Sequence, residues 1–99
     1  MPLYLVSYDI AEKNRDEYQE LWDYLGNLGA VKILYSEYAV PFTEKASGLV
    51  DRIKSHLQKG DRLLVCELFD NNDTCFWTNL KVSDDLFRKL LTKYARSLN

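Results

Sequence analysis

Residues 3–10 divide at period two into Leu3, Leu5, Ser7, Asp9 and Tyr4, Val6, Tyr8, Ile10. Both sets open apolar, which predicts a central β-strand covered on both faces. The polar stretch 11–14 ends it, and Asn14 followed three residues later by Glu17 is a variant of the helix capping box. Tyr18, Leu21, Trp22, Leu25 and Leu28 then recur at i, i+3, i+4, i+7 and i+10, an amphipathic helix closed by Gly29 with Gly26 shortly before it. Over 31–42, Val31, Ile33 and Tyr35 alternate before Ser36-Glu37, and Tyr38, Val40 and Phe42 alternate after it. That length predicts two strands joined by a tight turn or bulge near Ser36, with Pro41 at a strand end or edge. Thr43 is the expected cap of a second helix bearing Ala46, Leu49, Val50, Ile53 and Leu57, with Gly60 as its C′ residue. A nearly continuous apolar strand follows over 63–69, then a turn at 70–73 and a short returning strand over 74–78. Ser83 caps a third helix with Asp84 and Asp85 in its first turn, the stripe Leu86, Phe87, Leu90, Leu91, Tyr94 and Leu98, and Lys93 and Arg96 in its last turn.

The order β-α-β-β-α-β, then a hairpin return and an added helix, predicts an α+β chain of the ferredoxin-like split βαβ type. It has a four-stranded antiparallel sheet with two helices on one face, a short fifth strand and a C-terminal helix. Residues 1–80 form the ferredoxin-like domain with its hairpin return, and 81–99 a helical extension of the same domain. Two helices cover one face only, so the other needs the third helix, a partner or a ligand. The 99 residues, 46% hydrophobic and 28% charged, suit one globular domain. No apolar run approaches a membrane span, and the amino terminus has no basic region or signal-peptide core, so no membrane partner is expected. Two cysteines are too few for a disulfide scaffold, which makes a reduced cytoplasm the default. The formal net charge of −2 argues against a strong, self-sufficient nucleic-acid binder. The 13% aromatic content suits sheet surfaces and interfaces.

Tyr8-Asp9-Ile10 closing the first strand, Arg15 opening the first helix, and Tyr35-Ser36-Glu37-Tyr38 at the second turn resemble the CRISPR-associated Cas-two family. The strand after Gly60-Asp61-Arg62 adds to the likeness, which covers residues 3–69. The resemblance implies a small ferredoxin-like homodimer, related to the virulence-associated protein D ribonucleases. In that family the aspartate ending strand one lies near the dimer axis, where two copies bind a divalent metal, Mg²⁺, for endonucleolytic cleavage of a phosphodiester. Other members serve as the dimeric scaffold that holds duplex DNA for an integrase subunit during CRISPR adaptation. Carried onto this chain, Asp9 becomes the candidate catalytic and metal-binding residue, and Arg15 and Ser36 the candidate nucleic-acid-facing residues, for DNA or RNA.

Each of these residues has a plainer reading. A single carboxylate holds Mg²⁺ poorly, and a two-fold axis that adds a second Asp9 mends this; otherwise Asp9 caps the strand end or accepts N–H bonds in the following turn. Arg15 meets phosphate beside free helix N–H groups or is a solvated first-turn residue. Ser36 is ordinary in a turn. The basic residues are interspersed with acids, and the tail 79–99 adds a helix where many relatives have a short swapped strand. If 74–78 is that strand, it pairs with the partner's sheet. Two further readings stand beside the first: a homodimeric interaction module without nuclease activity, and a ribonuclease toxin of a toxin–antitoxin pair.

Other signals carry less. His56 lacks the companions a triad or zinc site needs, and Cys66 and Cys75 read as packing thiols. A calcium loop starting at Asp70 has Cys75 where glycine belongs and Lys81 where glutamate belongs. An RNA-recognition motif fails at 36–40, which lacks the basic-glycine-aromatic pattern.

Overall fold

Strand β1 (Leu3–Asp9) lies inside a sheet of order β2-β3-β1-β4, with β2 (Val31–Leu34), β3 (Glu37–Pro41) and β4 (Arg62–Leu68). Every neighbouring pair is antiparallel. The structure is a computed structural model describing residues 1–10, 18–71 and 74–97. Among these the chain is α+β, an open four-stranded antiparallel sheet with the helices α1 (Gln19–Asn27), α2 (Ala46–Lys54) and α3 (Asp84–Tyr94).

The alternation in β1 sends its two sets of side chains to two cores. Tyr4 and Val6 join Tyr18, Leu21, Leu25, Val40, Phe42, Leu49 and Ile53 on the inner face, under α1 and α2. Leu3 joins Ile33, Ala39, Phe87 and Leu91 on the outer face, under α3. Each residue in these clusters has left water almost completely, and each buried Leu, Ile, Val or Phe side chain is stabilised by about 1.5–3 kcal/mol relative to exposure. Central placement of β1 therefore follows from its doubly apolar pattern.

The extended stretch breaks into β2 and β3 at Tyr35-Ser36, with a register shift between Lys32 and Leu34, and Pro41 is the last residue of β3. Gly29 ends the α1 region at φ +84, where a Cβ would be strained. Ser83 caps α3 as expected, its hydroxyl accepting from the Leu86 N–H at 3.1 Å. The proposed Asn14–Glu17 box and Leu98 lie outside the described residues.

Four local expectations are corrected. The α2 N-cap is Lys45, not Thr43, and no side chain caps it. α2 ends at Lys54, and Gly60, at φ +91, serves the turn before β4 rather than the helix end. Arg96 lies beyond α3, whose C-cap is Ala95. Residues 74–78 take no strand conformation. Cys75 N–H is held by the Asn71 carbonyl, Cys75 and Trp77 pack into the outer core, and the Trp77 indole donates to Asp84 at 3.1 Å. The position beyond β4 is taken instead by a parallel bridge between Phe69 and Arg96. That leaves the returning segment on the sheet's face rather than along its edge.

Candidate functional site

β1, β4 and the β2–β3 turn converge at one end of the sheet, and the antiparallel register decides which side chains meet there. Ser7 and Asp9 point to the outer face with Leu3 and Leu5, because strand side chains alternate. Ser7 lies opposite Glu37 on β3 and Leu64 on β4, and Asp9 lies opposite Arg62. The Ser7 hydroxyl donates to Glu37 Oε1 at 3.3 Å. Asp9 and Arg62 are both exposed.

Ser36 is drawn to the same place. Its carbonyl accepts the Tyr8 N–H at 3.2 Å, which ties the β2–β3 turn to the last residues of β1. The structure thus brings Asp9 and Ser36 together. Arg15 lies outside the described residues. The turn before β4 is equally fixed: Asp61 accepts the Tyr18 hydroxyl at 3.0 Å and the Gln58 N–H at 2.7 Å. Arg62 consequently starts β4 from an anchored base.

The outer face is only partly roofed. α3 and residues 75–82 cover Leu3, Ile33, Ala39 and Leu68. Toward the Asp9 end, Leu64 is 58% exposed and Cys66 is exposed. The reading of Cys66, in the apolar run of β4, as a packing thiol is corrected here. β4 is an edge strand, and α3 does not reach its first half.

Donor chemistry bears on Mg²⁺. Among the described residues no group of three or more His, Cys, Asp or Glu is gathered to hold a metal. The chain offers the exposed Asp9 carboxylate with Arg62 across from it, and Glu37 bonded to Ser7. Mg²⁺ binds through one or two carboxylates while keeping several waters. These donors fit the ion only as a shared site, completed by a second chain or by phosphate oxygens.

Other chemistry lies elsewhere. His56 stacks on Tyr24 at 5.4 Å, with Glu20 4.0 Å away, as a packed helix-end histidine. Burial first, and Asp70 next among the raising causes, pushes the Cys75 thiol above its ordinary 9.0, against an opposing pull from Arg88. A groove of ≈ 290 Å³ is lined by Cys75, Phe76, Trp77, Asp84 and Arg88. Its guanidinium is already engaged, stacked over Trp77 at 4.8 Å and paired with Asp70 at 3.2 Å. None of the expected site residues falls there.

Arg62 and Glu37 appear in the motifs quoted for the resemblance, but the sequence assigned neither a place beside Asp9. Each enters through cross-strand register, which is long-range and leaves no local signal. No protein-family model matches the chain, and no solved structure matches it. No helix among the described residues is long and apolar enough to cross a membrane.

Proposed function

We infer that the chain is a Cas-two-like protein: a ferredoxin-like split βαβ domain acting as a cytoplasmic homodimer that holds nucleic acid at the Asp9 end of the sheet. The element order and the strand order β2-β3-β1-β4 support the fold assignment. The observation that carries the functional reading is the exposed Asp9 at the tip of central strand β1, with Ser36 hydrogen-bonded to that same tip through Tyr8. A second copy docked on the uncovered part of the outer face would bring two Asp9 carboxylates toward one axis and cover Leu64 and Cys66. Mg²⁺ shared there would supply a Lewis acid at a phosphodiester. Asp9 would then be the catalytic and metal-binding residue, Ser36 and Arg15 would face the backbone, and an integrase subunit is the further partner of this reading.

The test is the mass of the chain in solution together with binding to a DNA duplex, with Mg²⁺ and with EDTA, for wild type and Asp9→Ala. The reading expects a particle of twice the 11.6 kDa chain and Mg²⁺-dependent binding or cleavage that Asp9→Ala removes. A monomer, or Asp9→Ala that keeps the full Mg²⁺ effect, contradicts it. A second reading, an interaction module without nucleic-acid chemistry, is favoured by the net charge of −2 and the bare Leu64. It expects a dimer that ignores DNA at low salt. Mg²⁺-dependent cleavage of RNA but not DNA points to the ribonuclease-toxin alternative.

A further inference from the structure

Four of the chain's arginines belong to the described residues, and three are engaged with carboxylates. Arg52 pairs with Glu44 at 3.2 Å, Arg88 with Asp70 at 3.2 Å, and Arg96 with Glu67 at 2.5 Å. Arg62 makes no ion pair among the described residues, although its direct cross-strand neighbour is Asp9. Cross-strand neighbours have Cβ atoms about 4.5–5.5 Å apart, well within reach of an arginine. The guanidinium thus stands beside a carboxylate without closing on it, and it keeps its planar fork of donors for an outside anion.

Its setting suits one kind of anion. The turn that leads into Arg62 is pinned by Asp61, so the residue projects from an anchored strand end rather than a loose loop. The adjacent Asp9 repels a free anion, so an isolated inorganic phosphate gains little there. A polymer whose phosphates and sugars continue across the sheet end is held at several points and tolerates one unfavourable neighbour.

We propose that Arg62 is a nucleic-acid-binding residue of this site, its guanidinium donating in bidentate fashion to a backbone phosphate beside Asp9. This rests on the nucleic-acid reading above and adds to it the residue that receives the phosphate. Arginine matches phosphate geometry with two parallel N–H donors, which lysine cannot do. The Asp9–Arg62 pair divides the labour: the guanidinium takes the phosphate, and the carboxylate, without an ion-pair partner among the described residues, is left for a cation.

Fluorescence anisotropy of the full chain with a labelled 20-base-pair DNA duplex, its single strand and, as competitor, inorganic phosphate tests this in EDTA over a salt series. Arg62→Ala is expected to bind the polymer about tenfold more weakly, as a charged hydrogen bond is lost. The slope of log K against log salt should shrink by about 0.9 for each duplex phosphate contact removed. Arg62→Lys keeps the slope and loses part of the affinity, because charge is retained and the fork is not. Asp9→Asn binds more tightly in EDTA, since a repelling charge is gone. Lys89→Ala, on the exposed side of α3, changes nothing. Wild type that binds while Arg62→Ala matches it in affinity and slope overturns the assignment and leaves the broader reading standing. Wild type that binds neither strand form in EDTA overturns the assignment, and wild type that also binds neither once Mg²⁺ is added overturns the broader reading as well. Millimolar inorganic phosphate that displaces the duplex from wild type also counts against the assignment, since a free anion should compete poorly beside Asp9.

Discussion

Replacement of Phe87 by alanine removes the side chain that anchors α3 to the sheet. Phe87 is 2% exposed, lies in the outer cluster with Leu3, Ile33, Ala39 and Leu91, and meets Trp77 edge-on with ring centroids 4.8 Å apart. Truncating a buried phenylalanine costs about 3–5 kcal/mol, of which an edge-to-face aromatic pair accounts for roughly 0.5–1.5. Small domains are stable by only about 5–15 kcal/mol, so this one change consumes a large part of the margin. With about 4–8 °C lost per kcal/mol in a domain of this size, Tm should fall by roughly 12–40 °C. Leu86→Ala is the matched control: Leu86 is the neighbouring residue of α3, 41% exposed, and its loss should stay within about 0.5 kcal/mol. Urea unfolding followed by circular dichroism reads both variants, with the midpoint giving the cost and the slope reporting whether unfolding stays cooperative. If the two variants are equal, or if Phe87→Ala costs less than about 1 kcal/mol, α3 does not roof the sheet as described.

Three further outcomes follow from individual groups. The Tyr4 phenol, donating to the Glu44 carbonyl at 2.8 Å, is raised above its ordinary 10.0 by burial first and by the Glu67 charge second. The unfolded chain ionises this tyrosine at lower pH than the folded chain, so its contribution is intact below pH 10 and is lost as pH climbs through the folded value; Tyr4→Phe should flatten the alkaline limb of a stability–pH curve. With iodoacetamide at mildly alkaline pH, exposed Cys66 should be modified first and the half-buried Cys75, whose thiol is pushed up by burial, should lag, read by peptide mass spectrometry. Arg96→Ala should speed hydrogen exchange at the Asp70 amide, because that N–H donates to the Arg96 carbonyl and the Glu67 carboxylate no longer holds the tail down.

The elements that could be read from the chain are those whose cause is local. Period-two alternation in 3–9, the helical stripe from Tyr18 to Leu28, and Ser83 with two aspartates behind it each act within a few residues, and each is found where expected. The missed features have distant causes. The apolar run of β4 suits a strand covered on both faces, but the reach of α3 decides that Leu64 and Cys66 stay bare. Residues 74–78 have strand composition, yet the pull of Cys75 and Trp77 into the outer core and the bridge of Phe69 to Arg96 set their path. Asp9 and Ser36 became candidates through the resemblance alone, while their places at a strand end and in a turn were legible from the local pattern. The place of Arg62 was not, since nothing near it in sequence announces that it faces Asp9.

The central claim is that the Asp9 end of the sheet holds nucleic acid despite a net charge of −2. Equilibrium binding of the wild-type chain to a DNA duplex across a salt series tests it most directly. Two copies, each placing one Arg62 on a phosphate, predict measurable binding at low salt and a log K that falls linearly with log salt at a slope of about −2 or steeper. Absence of binding at low salt, or an affinity indifferent to salt, contradicts the account and leaves the exposed sheet face as a surface for protein alone.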